Sequence, residues 1–176
     1  MAIERVAVIG AGTMGAGIAQ VCAQAGWKTA LFDAFPDGLE RGMQRIDAFW
    51  DKGIARGKTT AEQKEAWAAN LRAESDMQTA VQDADLVIEA VPEIPELKAS
   101  IFEQLDAMAP SHAILGTNTS SLSIGSIANA TNRGDKVIGM HFFNPVPIME
   151  LLESVSYTHL RAHETKANLV CRLLLE

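Results

Sequence analysis

The sequence predicts an α/β fold, a doubly wound, mostly parallel sheet with helices on both faces. Three observations predict it. Short apolar runs rich in valine and isoleucine alternate with helical stretches of about ten residues or more, as parallel strands joined by right-handed crossovers require. The run Asp85–Val91 is apolar through its centre, which suits a strand buried on both faces. The first apolar run also feeds straight into a glycine-rich turn and then a helix.

Taken in order, Arg5–Ile9 is the first strand, bounded by Gly10. A helix follows from about Thr13 to Ala25, with Gly26 as its C-terminal stop. Thr29–Phe32 is the second strand and closes on Asp33. Pro36 suits the first turn of a helix running to about Arg56, which Gly57 ends. Thr60 with Gln63 three residues later is a capping box for another helix reaching about Leu71. These two helices form an insertion after the second strand. The strand at 85–91 comes next, then a helix over Pro95–Ala109 with Leu97, Ile101, Phe102 and Leu105 at core-facing spacing. Ala113–Gly116 and Val137–Met140 are further strands, with a short helix near Ile124–Ala128 between them.

Composition narrows the function. With 48% hydrophobic and 21% charged residues, the 176-residue chain has the make-up of an ordinary globular domain. A formal charge of −7 argues against non-specific binding to nucleic acid. No apolar run approaches the ~18–20 residues that span a bilayer, so no membrane partner is expected. The opening residues do not form a signal peptide, since Val6–Ile9 runs directly into Gly10. Cys22 and Cys171 make neither a disulfide framework nor a ligand cluster. A reducing cytoplasm is the expected location.

Gly10-Ala11-Gly12-Thr13-Met14-Gly15 fits the pattern G-x-G-x-x-G between a strand and a helix, the arrangement of a Rossmann-type dinucleotide site. Gly10 permits the tight turn, Gly12 lets the backbone approach a pyrophosphate, and Gly15 allows close helix–strand packing. The amides of the following helix then face the phosphate charge. Asp33, eighteen residues beyond Gly15, is placed to accept from ribose hydroxyls. It would repel the 2′-phosphate of NADP, so NAD is the expected cofactor. The plainer reading makes Asp33 an exposed turn residue and the glycines structural.

His141 ends a strand in the run His141-Phe142-Phe143-Asn144-Pro145-Val146-Pro147. Strand C-termini are where doubly wound sheets bind ligands. A neutral imidazole there can take the proton of an alcohol while hydride leaves the carbon. A carboxylate would fix its tautomer, and Glu150 and Glu153 are the near candidates. By pattern alone, a hydrogen-bonded strand-end histidine fits equally well.

Together these motifs resemble the 3-hydroxyacyl-CoA dehydrogenase family. The resemblance rests on Gly10–Ala19, on Ile88–Glu93, on Asn118-Thr119-Ser120-Ser121, and on His141–Pro147 followed by Glu150–Glu153, and it covers about residues 1–153. It implies an NAD-binding Rossmann domain in which His141 is the catalytic base and Glu153 its carboxylate partner. Ser120 would contact the substrate oxygen, and Asn144 would lie near the same centre. Gly10, Gly12, Thr13, Met14, Gly15 and Asp33 would hold the cofactor, with Glu93 and Lys98 lining the cofactor and substrate cleft. For Lys98 a solvated helix lysine is the alternative. The implied reaction is NAD-dependent oxidation of an L-3-hydroxyacyl-CoA to the 3-ketoacyl-CoA, in fatty acid or butanoate metabolism. Lys52, Arg56 and Lys58 could meet CoA phosphates, though cations also favour helix C-termini for their own sake.

The resemblance stops near Glu153. Family members continue into a helical domain of roughly 100 residues that closes the cleft and supports a homodimer, whereas 23 residues remain here. Ser154–Glu176 is an atypical tail, foreign in texture to the domain before it. His159 and His163 are four apart, but two ligands make a poor site, and no metal is expected. Leu169, Val170, Leu173 and Leu174 could cover apolar surface as a helix. The chain is therefore expected to bind NAD and to turn over poorly without a second domain. Two alternatives stand beside that reading: an NAD-binding module without catalysis, and another NAD-dependent hydroxyacid dehydrogenase that uses a lysine.

Overall fold

Successive side chains of β1 (Arg5–Ile9) enter two different cores, because residues alternate across a strand. Val6 and Val8 join the helices on one face; Ala7 and Ile9 join those on the other. In this computed structural model, which describes residues 2–149 and 151–156, β1 is a central strand.

Around it lie α1 (Thr13–Gln24), β2 (Lys28–Phe32), α2 (Pro36–Ala55), α3 (Ala61–Ala68) and β3 (Leu71–Glu74). Then follow α4 (Met77–Val81), β4 (Leu86–Glu89), α5 (Pro95–Met108), β5 (Ile114–Thr117), α6 (Ile124–Ala128), β6 (Val137–Phe142) and β7 (Leu152–Ser156). The sheet order is β3-β2-β1-β4-β5-β6-β7, parallel except for the antiparallel β6–β7 pair. One core packs α1 and α2 (Ile18, Cys22, Leu39, Ile46, Trp50) on the sheet. The other packs α4, α5 and α6 (Val81, Phe102, Leu105, Ile127) on the opposite face. Both faces of the sheet are thus covered, which is why β4 is buried at every position.

The capping box at α3 forms as the sequence predicts: the Thr60 side chain accepts from Gln63 N, and Gln63 Oε1 accepts from Thr60 N. The helix nevertheless stops at Ala68, short of the expected Leu71, and the chain turns into β3 beside β2. Trp67 meanwhile packs against Trp50 of α2, ring centroids 5.9 Å apart, holding the two inserted helices together. Lys52 and Arg56 lie at the C-terminal end of α2, where cations offset the helix dipole.

Two further expectations change. Leu97 is exposed; the buried face of α5 is Lys98, Phe102 and Leu105. The final strand β7 runs to Ser156, three residues past the expected domain boundary at 153. Those residues pair with β6 and so belong to the sheet. Glu150, Cys171, the His159/His163 pair and the leucines of the tail lie outside the described residues. Among the described residues, no helix is long and apolar enough to cross a membrane.

Candidate active site

The strand order reverses between β1 and β4, and the candidate residues gather at the C-terminal ends of the strands around that point, where open α/β sheets take their ligands. The glycine turn is forced by crowding. Gly10 sits at φ 102°, and a Cβ there would lie 2.9 Å from the Ala90 carbonyl oxygen. A Cβ on Gly15 would fall 1.7 Å from the Gly10 oxygen, so α1 could not approach β1 with any other residue. At Gly12 the space is open instead, with nothing within 4 Å of a built Cβ. Gly12 N-caps α1 without a side-chain cap bond, which leaves the first helical N–H groups available to an anion. Thr13 is exposed there and Met14 half-buried.

Asp33 follows β2 at the same edge. Its Oδ2 accepts Ala11 N–H at 2.7 Å and its Oδ1 accepts Phe35 N–H at 2.9 Å. The carboxylate is thereby fixed beside Gly12 in a cleft whose walls include Phe35, Gly38 and Arg41. Each oxygen keeps lone-pair capacity for a ribose hydroxyl. An anion seat on α1, open space at Gly12 and a fixed carboxylate beside it fit a dinucleotide with free ribose hydroxyls.

Across the switch point, a buried polar network joins β4, α5 and β5. Lys98 is fully buried, so the solvated alternative does not describe it. Its Nζ donates to Glu89 Oε1 and Oε2 at 2.8 and 2.9 Å and to the Asn118 carbonyl at 3.1 Å. Glu93 Oε2 is 3.3 Å away. Glu89 also accepts from Thr117 Oγ1 and Val91 N. Burial pushes the Glu89 carboxyl up, against the pull of the Lys98 ammonium and the Thr117 hydroxyl. Burial raises Glu93 too, but there the Thr119 hydroxyl, the Lys98 charge and Ser120 N–H prevail, and it titrates below the usual range. Glu93 accepts from the Thr119 hydroxyl and from Ser120 N, which fixes the loop that presents the exposed Ser120.

His141 lies on β6 directly opposite Glu153 of β7. Its Nδ1 is 3.1 Å from Glu153 Oε2. A carboxylate only accepts, so Nδ1 is the donor in this contact, and in the neutral imidazole Nε2 is the nitrogen with the lone pair. Phe143 packs on the imidazole at 4.4 Å between centroids. Asn144 follows, exposed, at the end of the strand. Val146 and Pro147 then turn back onto α1, where a Cβ on Gly17 would lie 2.9 Å from the Val146 side chain. The histidine segment is in this way packed against the glycine-loop helix.

Residues 5–173 match the family profile described as 3-hydroxyacyl-CoA dehydrogenase, NAD binding domain. The chain belongs to that family. It is 41% identical over 155 residues to a probable 3-hydroxybutyryl-CoA dehydrogenase of Bacillus subtilis, covering 88% of this chain and 54% of that protein. It is 45% identical over 154 residues to a 3-hydroxyadipyl-CoA dehydrogenase of Escherichia coli, covering 88% of this chain and 32% of that one. Among solved structures, FadB2 of M. tuberculosis superposes with a TM-score of 0.85 at 39% identity, over 88% of this chain and 54% of that one. The chain thus spans about half the length, or less, of these relatives.

Sequence reasoning gave no role to Glu89, Thr117 or Asn118. The signal for Glu89 is an acid closing an otherwise apolar strand, which calls for a buried cation. Asn118 stands in the motif of the Ser120 loop but has no chemical signature of its own.

Proposed function

We propose that this domain binds NAD and uses His141 as the base that oxidises an L-3-hydroxyacyl-CoA to its 3-ketoacyl-CoA. One observation carries the reading: an imidazole oriented by Glu153 stands on the same sheet edge as the phosphate-type glycine turn and Asp33. NAD, when bound, supplies the hydride acceptor. The N-terminus of α1 would hold the pyrophosphate, and Asp33 would hold the adenosine ribose. Nε2 of His141 takes the substrate hydroxyl proton, while Glu153 keeps Nδ1 protonated and stabilises the imidazolium. The Ser120 hydroxyl and the Asn144 amide serve as hydrogen-bonding groups for the substrate oxygen. Glu93 and Lys98 contribute by fixing the loop that bears Ser120.

The decisive experiment mixes the protein with NAD and 3-hydroxybutyryl-CoA and follows NADH absorbance. Turnover that vanishes in His141→Ala supports the proposal. A free 3-hydroxy acid oxidised as fast as its CoA ester overturns the substrate class. A second reading, NAD binding without turnover, is favoured by the exposure of the His141 and Glu153 side chains, 30% and 36%, which leaves water in contact with the pair. NAD binding by titration with no NADH formed would establish it.

A further inference from the structure

We propose that Asn118 is a positioning residue: its side-chain amide holds the His141 end of β6 against the loop that presents Ser120. The proposal rests on the reading of His141 as the base. The register between β5 and β6 ends at Thr117 opposite Gly139. Three residues further along β6, the Phe142 N–H is taken instead by Asn118 Oδ1, at 3.1 Å. That contact fixes the amide orientation, because a backbone N–H needs an oxygen opposite it.

Asn118 can act this way because its own backbone is held at both polar groups. Its N–H donates to the Glu89 carbonyl at 2.7 Å, and its carbonyl accepts from Lys98 Nζ at 3.1 Å. Lys98 and Glu89 are both fully buried, so the anchor under Asn118 is shielded from water. The residue therefore links three elements: the tip of β4, the buried face of α5 and the end of β6. On its C-terminal side, Thr119 and Ser120 are tied to Glu93. On the β6 side, Phe142 adjoins His141 and pairs with Leu152, next to Glu153. One amide oxygen thus sets the separation of the serine loop from the histidine–glutamate pair. Neither partner alone holds it, since β5 and β6 are no longer paired at that point. Catalytic groups lose effect steeply when displaced by a fraction of an ångström.

The test compares Asn118→Leu, which removes the acceptor at similar size, with Asn118→Asp, which keeps an acceptor in a half-buried place near the Lys98 ammonium. In the full chain three quantities are measured: the ring 15N and 1H resonances of His141, NADH affinity by fluorescence, and kcat with KM for 3-hydroxybutyryl-CoA. The Leu variant is expected to shift the His141 ring signals and to lose kcat by about tenfold to a hundredfold. Its NADH affinity should stay within about twofold. The Asp variant should restore both the signals and kcat. Leu-variant ring signals and kcat matching the wild type, with only the melting temperature lowered, would make Asn118 purely structural and overturn the proposal. If the wild-type chain neither binds NADH nor turns over, the dehydrogenase reading fails, and the His141 signals still decide the role of Asn118.

Discussion

His141 and Glu153 are a directly opposed cross-strand pair in β6–β7, and their side chains meet at 3.1 Å. The β6–β7 pair thus brings the proposed base and its orienter together, although they lie twelve positions apart in the chain. His141→Ala is expected to lose ~10²–10⁴-fold in kcat/KM, about 3–5 kcal/mol of barrier. Glu153→Gln keeps the shape but can donate to Nδ1 and so favours the wrong tautomer. Its loss should be on the order of 10²-fold or more. Steady-state NADH assays read both, and NADH fluorescence titration should show the cofactor still bound.

Asp33 is held by two backbone N–H groups and faces the open space at Gly12. Asp33→Asn keeps much of that local geometry while replacing one ribose acceptor by a donor. A hydrogen bond to a charged group contributes about 1.5–3 kcal/mol, so NAD affinity should fall roughly ten- to a hundredfold. Discrimination against NADP should weaken together with it, because the like charge facing the 2′-phosphate is gone. Paired titrations of the two cofactors check this, and unchanged NAD affinity would remove Asp33 from the site.

Glu89 and Lys98 are both without exposure and bond to each other twice. Removing Lys98 leaves the Glu89 carboxyl buried without its cation, at a cost of about 3–5 kcal/mol, whereas removing Glu89 still leaves Lys98 the Glu93 carboxylate at 3.3 Å. Lys98→Met should destabilise by that order in urea melts, and Glu89→Leu by less. The double variant should lose clearly less than their sum, since no lone charge remains. Strict additivity would show that the pair is not coupled.

These cases mark what was legible in the sequence. The glycine turn, the Thr60 capping box and helix Ile124–Ala128 are written locally, in turn chemistry and spacing, and they form as expected. β3 was not legible, because Leu71–Glu74 contains no β-branched residue and takes its strand form from pairing with the edge of β2. β7 escaped for a related reason: its partner β6 defines it, although Pro145 and Pro147 before it mark a turn. The burial of Lys98 was least visible, since its partner Glu89 lies on another element and a lysine on a helix carries no mark of burial.

Two aspartates tie element ends together and titrate low. The N–H groups of Glu4 and Arg5 hold the Asp85 carboxyl below its usual range, with His112 adding to them, so the start of β1 is pinned to the start of β4. Burial raises Asp106, but Asn132 and the Arg133 guanidinium outweigh it, and it too titrates low while Arg133 caps the last carbonyls of α5. A carboxyl lowered in the folded state binds its proton first in the unfolded chain. Its stabilisation is therefore complete above the unfolded value of about 3.9 and is lost as pH falls through the lower folded value. Urea midpoints should stay level in this respect from neutrality down to about pH 5 and then fall steeply toward pH 2. Asp85→Asn and Asp106→Asn should each cost on the order of 1 kcal/mol at neutral pH and flatten the acid slope. Variants that lower stability equally at pH 7 and pH 2 would place the effect in packing, not in the charge of these carboxylates.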